Sequence, residues 1–443
     1  MECDKLTKLQ CNAPCVYVKT KKRGSCKAST QRRKAVHFLQ MVCRDSGECL
    51  SFGLYLKKIQ SFFKFTTFQH VVGKIESIGI PSANGFIRKI KYERNQYTAH
   101  AILKSTVSPD ADSLVYEYIV GTRFINQVSL RFPCFIHTYG LYFYNSYDQY
   151  LDVQYKNLDG KQFLKKALTL QPAIDFKKAC VYSQMACILI QNLDKADSVF
   201  DVSEDPAFAK YHMVHMLFIV YQALTSLSKV YTHYDLHRQN VLLFRPDPKK
   251  TVRYVYHRPG GDISFTCPYV PKLIDYGRSH FNNGKENSKQ VYDTICSTQE
   301  CGRCGEDHGF SMHKTNEFLG ISTQRKNESH DLMLIYNLYN HAQYRSDADI
   351  VKEFRTSVAY AMFEKMASKL KYNVNIPSSK LGGGTKEDTT LHPKGDIVAN
   401  VTDAYHELEK IILNPEVMKQ NQTTDVVGTF HIYEDRPMEY FKA

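Results

Sequence analysis

The stretch His233-Tyr234-Asp235-Leu236-His237-Arg238-Gln239-Asn240 sets a carboxylate and an amide five residues apart, just ahead of an apolar run from Val241 to Phe244. A second carboxylate follows 35 residues after Asn240, in Lys272-Leu273-Ile274-Asp275-Tyr276-Gly277. Asp235 has the chemistry to accept a hydroxyl proton. Asn240 and Asp275 are hard oxygen donors of the kind that hold Mg²⁺. Together they form the inventory of a phosphoryl transfer, in which positioning and charge neutralisation do most of the work.

Such groups need rigid elements to hold them. Met213, Met216, Leu217, Val220, Leu224 and Leu227 recur at three and four residues, which predicts a long core helix over about Phe208 to Val230 that leads into the first loop. Further upstream, Val71 to Ile80 and Phe86 to Tyr92 read as strands around the turn-rich Pro81 to Gly85. Thr98 to Lys104 reads as another strand. Ser108-Pro109-Asp110 then opens a helix with an N-cap, a proline at the first turn and an acid near the dipole's positive end. Apolar positions 52, 55, 56, 59, 62 and 63 describe one helical face that packs against this first part. Phe132 to Tyr144 reads as further strands and loops, followed by an insertion near 145 to 172, and Ala186 to Ile190 as a buried strand. Beyond 340 the sequence reads as helical, and as helical again near Asp403 to Leu413, and Ser378 to Asp388 between them reads as a mobile loop. The last 20 residues carry no legible chemistry.

The order Lys, Glu, His-x-Asp-x₄-Asn, Asp-x-Gly over residues 71 to 335 resembles the protein-kinase-like superfamily, and in particular the divergent serine/threonine protein kinases of large nucleocytoplasmic DNA viruses. The resemblance implies an α+β bilobal fold, with a β-rich N-lobe holding one key helix and a mainly helical C-lobe. It implies ATP and Mg as cofactors and a protein hydroxyl as acceptor. Lys104 would grip the α- and β-phosphates and pair with Glu117, the only glutamate between Lys104 and Glu204. Gly79 and Gly85 would lie in the strand turn over the phosphates, and Gln191 to Leu193 in the hinge that meets adenine. Asp235 would be the catalytic base, Asn240 and Asp275 the metal ligands, His233 a brace, and Asp331 the residue that ties down the catalytic loop.

Several positions depart from that pattern. Ile102 stands where a smaller alanine packs on adenine, and Tyr276 where phenylalanine is usual. Tyr234 replaces the arginine that binds an activating phosphate, so control by phosphorylation of the following segment is not expected in its usual form. His237, counted among the catalytic candidates, replaces a lysine, and His-x-Asp-x-His also occurs in small-molecule kinases of the aminoglycoside and choline type. No Ala-Pro-Glu closes the segment after Gly277. The alternatives are therefore a small-molecule phosphotransferase and a pseudokinase scaffold. That same segment holds Cys296-x₄-Cys301-x₂-Cys304-x₃-His308, the ligand types of a structural zinc site, with unligated thiols as the other reading.

The chain has 443 residues, 43% of them hydrophobic, enough for a sizeable core and two lobes. Three segments are expected: 1–34, 35–192 as N-lobe with an extension, and 193–443 as C-lobe. Residues 1–34 hold ten Lys or Arg against Glu2 and Asp4, out of a net charge of +13 for the whole chain. This segment suits an acidic partner or an anionic surface, with no sequence-specific reading of nucleic acid. Its piece from Cys11-Asn-Ala-Pro-Cys15 through Arg23-Gly-Ser-Cys26 resembles a two-cysteine adaptor of viral kinases, with zinc on Cys3, Cys11, Cys15 and Cys26 or a plain tail as alternatives. The absence of a leader pattern or a membrane-spanning apolar run points to a soluble, intracellular protein, in host cytoplasm or virion if viral. Its 13 cysteines are then expected to be reduced, some ligating metal.

Overall fold

The computed structural model describes residues 15–19, 24–28, 39–40, 42–43, 47–78, 85–106, 112–156, 158–171, 185–295, 309–311, 318–320, 323–343, 348–371, 397–420 and 425–442. The fold is mixed α+β. In chain order the strands are β1 (Cys15–Lys19), β2 (Gly24–Ala28), β3 (Val71–Ser77), β4 (Gly85–Arg94), β5 (Tyr97–Thr106), β6 (Thr138–Tyr144), β7 (Leu168–Leu170) and β8 (Ala186–Gln191). Then follow β9 (Asp197–Ser198), β10 (Tyr231–Thr232), β11 (Val241–Phe244), β12 (Thr251–His257), β13 (Ile263–Cys267), β14 (Val270–Leu273) and β15 (His280–Phe281). The last are β16 (Gly309–Ser311), β17 (Phe318–Gly320), β18 (Val426–Tyr433) and β19 (Glu439–Lys442). The helices used below are α1 (Tyr55–Phe63), α2 (Asp112–Val120), α3 (Tyr147–Tyr155), α4 (Gly160–Ala167), α5 (Met213–Leu227), α6 (Met333–Gln343) and α7 (Val401–Ile412).

An antiparallel sheet of order β3-β4-β5-β8-β6-β7 forms the first half. Alternation along β4 and β5 turns Phe86, Ile90, Tyr92, Ala99, Ala101 and Leu103 to one face, where all are buried. That face is covered by Ile59 and Phe63 of α1, by Phe65, and by Tyr150, Val153 and Leu164 of α3 and α4. The helical spacing predicted for residues 52–63 holds from Tyr55 onward. Phe52 instead reaches the larger core, edge-on to Phe430 at 4.8 Å between ring centroids. The opposite face of β5 carries His100, Ile102 and Lys104. The insertion near 145–172 carries α3 and α4 ahead of strand β7, each helix opened by a side-chain cap: Ser146 accepts from the amide of Gln149, and Asp159 from those of Lys161 and Gln162.

The larger core centres on α5, of which His215 and eleven apolar or aromatic side chains are buried. The predicted long helix starts later than the spacing suggests, because Phe208–His212 winds as a π-helix before α5 begins. Against α5 lie α7 and the hairpin of β12 and β13. The final residues, without legible chemistry in the sequence, complete this sheet. β18 pairs in parallel with β12 from Thr251↔Val426 to His257↔Tyr433, and β19 pairs antiparallel with β18. Phe430, Ile432 and Met438 bury the join. Gly53 lies beneath it at φ +54°, where a Cβ would meet the Met438 carbonyl oxygen at 2.6 Å, so both conformation and space require glycine.

The expectation of reduced thiols fails at one pair. Cys43 and Cys49 face each other across an isolated antiparallel bridge and form a disulfide. Cys134, Cys187 and Cys267 are free and buried. Cys15 and Cys26 fall on β1 and β2, whose register pairs Cys15 with Ala28 and Tyr17 with Cys26. Among the described residues, no helix is long and apolar enough to cross a membrane. Cys3, Cys11, Gly79, the helix opening at Ser108 to Asp110, the possible zinc ligands Cys296, Cys301, Cys304 and His308, and the loop Ser378 to Asp388 lie outside the described residues.

Candidate active site

Two strand ends bring the central groups together. β11 and β14 run antiparallel with Val241 opposite Leu273, and the Ile274 amide donates to the Asn240 carbonyl at 3.1 Å. Asn240, just before β11, therefore sits beside Asp275, just after β14. Asp275 adopts φ +67°, a left-handed conformation that is uncommon for a residue with a Cβ. The turn Tyr276–Arg278 that follows is fixed by the Tyr276 hydroxyl, which donates to the Leu273 carbonyl at 2.7 Å and accepts from the Ile136 amide at 2.8 Å.

Lys104 links the six-stranded sheet to the turn after β14. Its Nζ lies 2.7 Å from Glu117 Oε2 and 3.1 Å from Asp275 Oδ1. β5 supplies the lysine and α2 the glutamate, while α2 packs on the Tyr276–Arg278 turn. The packing is reinforced where the Tyr116 hydroxyl donates to the Ser279 carbonyl at 2.7 Å. The Glu117 side chain is only 5% exposed, against 43% for Asp275, which opens toward solvent. Burial disfavours the charge on Lys104, yet Asp275 and Glu117 outweigh it and hold its pKa above the usual lysine range. Burial pushes Glu117 up to about 7 against the pull of Lys104. At Asp275 burial acts upward too, but Lys104 prevails and its pKa falls below the usual carboxylate value. The constellation is thus a protonated lysine held by a buried acid and presented to an exposed, ionised one.

The loop carrying Asp235 is pinned from three sides. His233 is fully buried; its Nδ1 accepts from the Asp235 amide at 3.3 Å, which leaves Nε2 to donate to the Ile274 carbonyl at 3.1 Å. Burial lowers the His233 pKa to about 4, so the ring is neutral and works as a brace, as expected of it. Asp331 accepts the amides of His233 and Tyr234 at 2.7 and 2.9 Å, matching its expected task. The Asp235 carbonyl takes the His237 amide at 3.0 Å and Asn240 Nδ2 at 2.9 Å. With its nitrogen committed, Asn240 retains its oxygen as a ligand atom.

Two basic side chains flank the Asp235 carboxylate: His237 Nε2 at 3.7 Å and Arg278 Nη1 at 3.5 Å. Burial raises the Asp235 pKa and the negative charge of Asp275 adds to this, while Arg278 and His237 oppose it. The sequence reading did not single out Arg278. It is one arginine among many in a basic chain, and only its place directly after Asp-Tyr-Gly marked it.

The remaining candidates are placed less decisively. Gly85 begins β4, where a Cβ would stand 2.2 Å from the Ser105 carbonyl oxygen, so strand packing alone accounts for glycine there. Gln191 ends β8 with its amide donated to the His137 carbonyl at 2.8 Å, and Leu193 is buried in the larger core. Among the described residues no group of three His, Cys, Asp or Glu side chains forms a metal cage. The side-chain oxygens of Asn240 and Asp275 are hard donors of the type that oxygen-preferring cations take.

A scan against protein-family models matched no family, and a search of curated proteins found no match.

Proposed function

We propose that this chain is an ATP- and Mg-dependent phosphotransferase with a bilobal kinase-like architecture, acting as a serine/threonine protein kinase on a protein hydroxyl. The observation that carries the reading is Lys104 Nζ held between Glu117 and Asp275 at 2.7 and 3.1 Å, beside the strand pair that aligns Asn240 with Asp275. A bound magnesium ion would neutralise phosphate charge as it develops, with Asn240 and Asp275 as its protein ligands. Lys104 orients the phosphates, Glu117 keeps Lys104 in place and charged, and Asp235 receives the acceptor proton. The same motif order in kinases of large DNA viruses supports this reading, as do the bracing roles of His233 and Asp331.

His237, placed 3.7 Å from Asp235, favours a second reading in which a small-molecule hydroxyl is the acceptor. Incubation with γ-labelled ATP and Mg²⁺, offering a mixed protein substrate beside aminoglycoside and choline acceptors, separates the two. Label on protein supports the first reading and label on small molecules the second. Turnover no greater than that of Asp235→Ala would leave a scaffold that keeps the fold without the reaction.

A further inference from the structure

We propose that Arg278 provides the fixed positive charge that neutralises the phosphoryl group in transit, the task left open where His237 occupies the position of a lysine. This rests on the phosphotransfer reading above. In that reaction the acceptor oxygen bonds to the γ-phosphorus as the bridging bond between the γ-phosphorus and the ADP oxygen breaks. The hydroxyl proton passes to Asp235, and ADP leaves with the electron pair. Negative charge builds on the phosphoryl oxygens next to Asp235, itself a carboxylate, so a nearby cation is required.

The cations at the site divide clearly. Lys104 is engaged by Glu117 and Asp275. Arg238 turns to the Ser203 hydroxyl at 2.8 Å and lies 4.8 Å from the centre of the Phe200 ring. His237 uses Nδ1 to accept from the Gln239 amide at 3.2 Å, capping the turn that carries Asn240, and an imidazole is not a permanent cation. Arg278 alone among these combines a permanent charge with a place 3.5 Å from Asp235 Oδ1 and a side chain 30% exposed. Its backbone is anchored by the Ser279 amide, which donates to the Tyr276 carbonyl at 3.1 Å, so the guanidinium swings from a fixed base. Its planar fork of donors suits phosphate oxygens better than a point charge does.

The experiment compares wild type, Arg278→Met, Arg278→Lys, and Arg278→Met combined with His237→Lys in steady-state phosphotransfer, with melting curves and nucleotide binding as checks on folding. Arg278→Met should lower kcat about 100-fold while nucleotide KM stays within about threefold, the pattern of a contact made only in the transition state. Arg278→Lys should keep part of that loss from occurring. Returning a cation through His237→Lys should recover about tenfold over Arg278→Met, which a purely structural arginine would not allow. Should Arg278→Met not fold, Arg278→Gln takes its place. A kcat within about threefold of wild type, a loss seen in KM alone, or no recovery from His237→Lys overturns the proposal. A wild type that transfers no phosphate overturns the reading beneath it, and is a different result from an active wild type indifferent to Arg278.

Discussion

The Asp331 carboxylate accepts the backbone amide of His233 at 2.7 Å from a position 98 residues further along the chain. It is buried, and its second oxygen holds the Tyr234 amide, so one side chain just ahead of α6 ties down two successive amides of the loop bearing Asp235. Asp331→Ala should leave two buried donors unpaired and lower stability by about 2–4 kcal/mol in urea unfolding, with activity falling in parallel. Asp331→Asn, which keeps one acceptor oxygen, should fall between. An alanine variant as stable as wild type would show that the loop is held by other contacts.

Lys272 gives a pH signature. It is 2% exposed, its Nζ donates to the Phe135 carbonyl at 2.9 Å, and burial depresses its pKa to about 7. A group with a depressed folded pKa contributes stability above its unfolded value, about 10.4, and that stability is lost as pH falls through the folded value. Lys272→Met should therefore stabilise the protein by on the order of 2–4 kcal/mol at pH 6 and by little or nothing at pH 10. Thermal melts of both proteins at the two pH values check this. A difference that does not depend on pH would mean that Lys272 is charged or neutral throughout.

Much of the site was legible because its groups sit in short, ordered motifs. The Asp235 loop, Asp275, the Lys104–Glu117 pair and the Asp331 contact come together as the resemblance implied. What escaped depends on contacts distant in sequence or on single residues. The parallel pairing of β18 with β12 joins Val426 to Thr251, and no periodicity at the chain end announces such a partner. The tyrosines around α3 suit strand and helix alike, and only the Ser146 cap tips the balance. Lys272 reads as an ordinary basic residue, since its burial follows from the packing of Phe52 over it, at 4.9 Å from the ring centre. Gly85 shows the converse: a glycine that fits a nucleotide turn on paper is already explained by Ser105.

The buried pair predicts an asymmetry between two variants. Lys104→Met removes the partner of Glu117, whose pKa burial already raises to about 7. Without Lys104 that pKa rises further, so Lys104→Met should lose on the order of 1–3 kcal/mol at pH 8, the free energy of taking up that proton, and less at pH 5, where Glu117 is protonated in both proteins. Adding Glu117→Gln should restore most of the stability and none of the activity. Urea unfolding at both pH values measures it; equal stabilities of the single and double variants would deny that the pair is coupled.

Tyr234 ties the loop to a segment distant in sequence. Its φ is +64°, its side chain is fully buried, and its hydroxyl donates to the Arg325 carbonyl at 2.5 Å, tying the loop to the chain just before α6. Tyr234→Phe should lower stability by about 0.5–1.5 kcal/mol, because it removes the hydrogen bond to the Arg325 carbonyl. Phosphatase treatment of the wild type should leave its activity unchanged. Loss of activity on that treatment would point to an activating phosphate instead.

The central claim is tested most directly by measuring γ-phosphate transfer from ATP in the presence of Mg²⁺, with wild type beside Asp275→Ala. The wild type is expected to label an acceptor in a reaction abolished by chelating the metal. Asp275→Ala, folded by its melting curve, is expected to be slower by at least about 100-fold. Equal turnover by the two proteins, or none by either, would contradict the account.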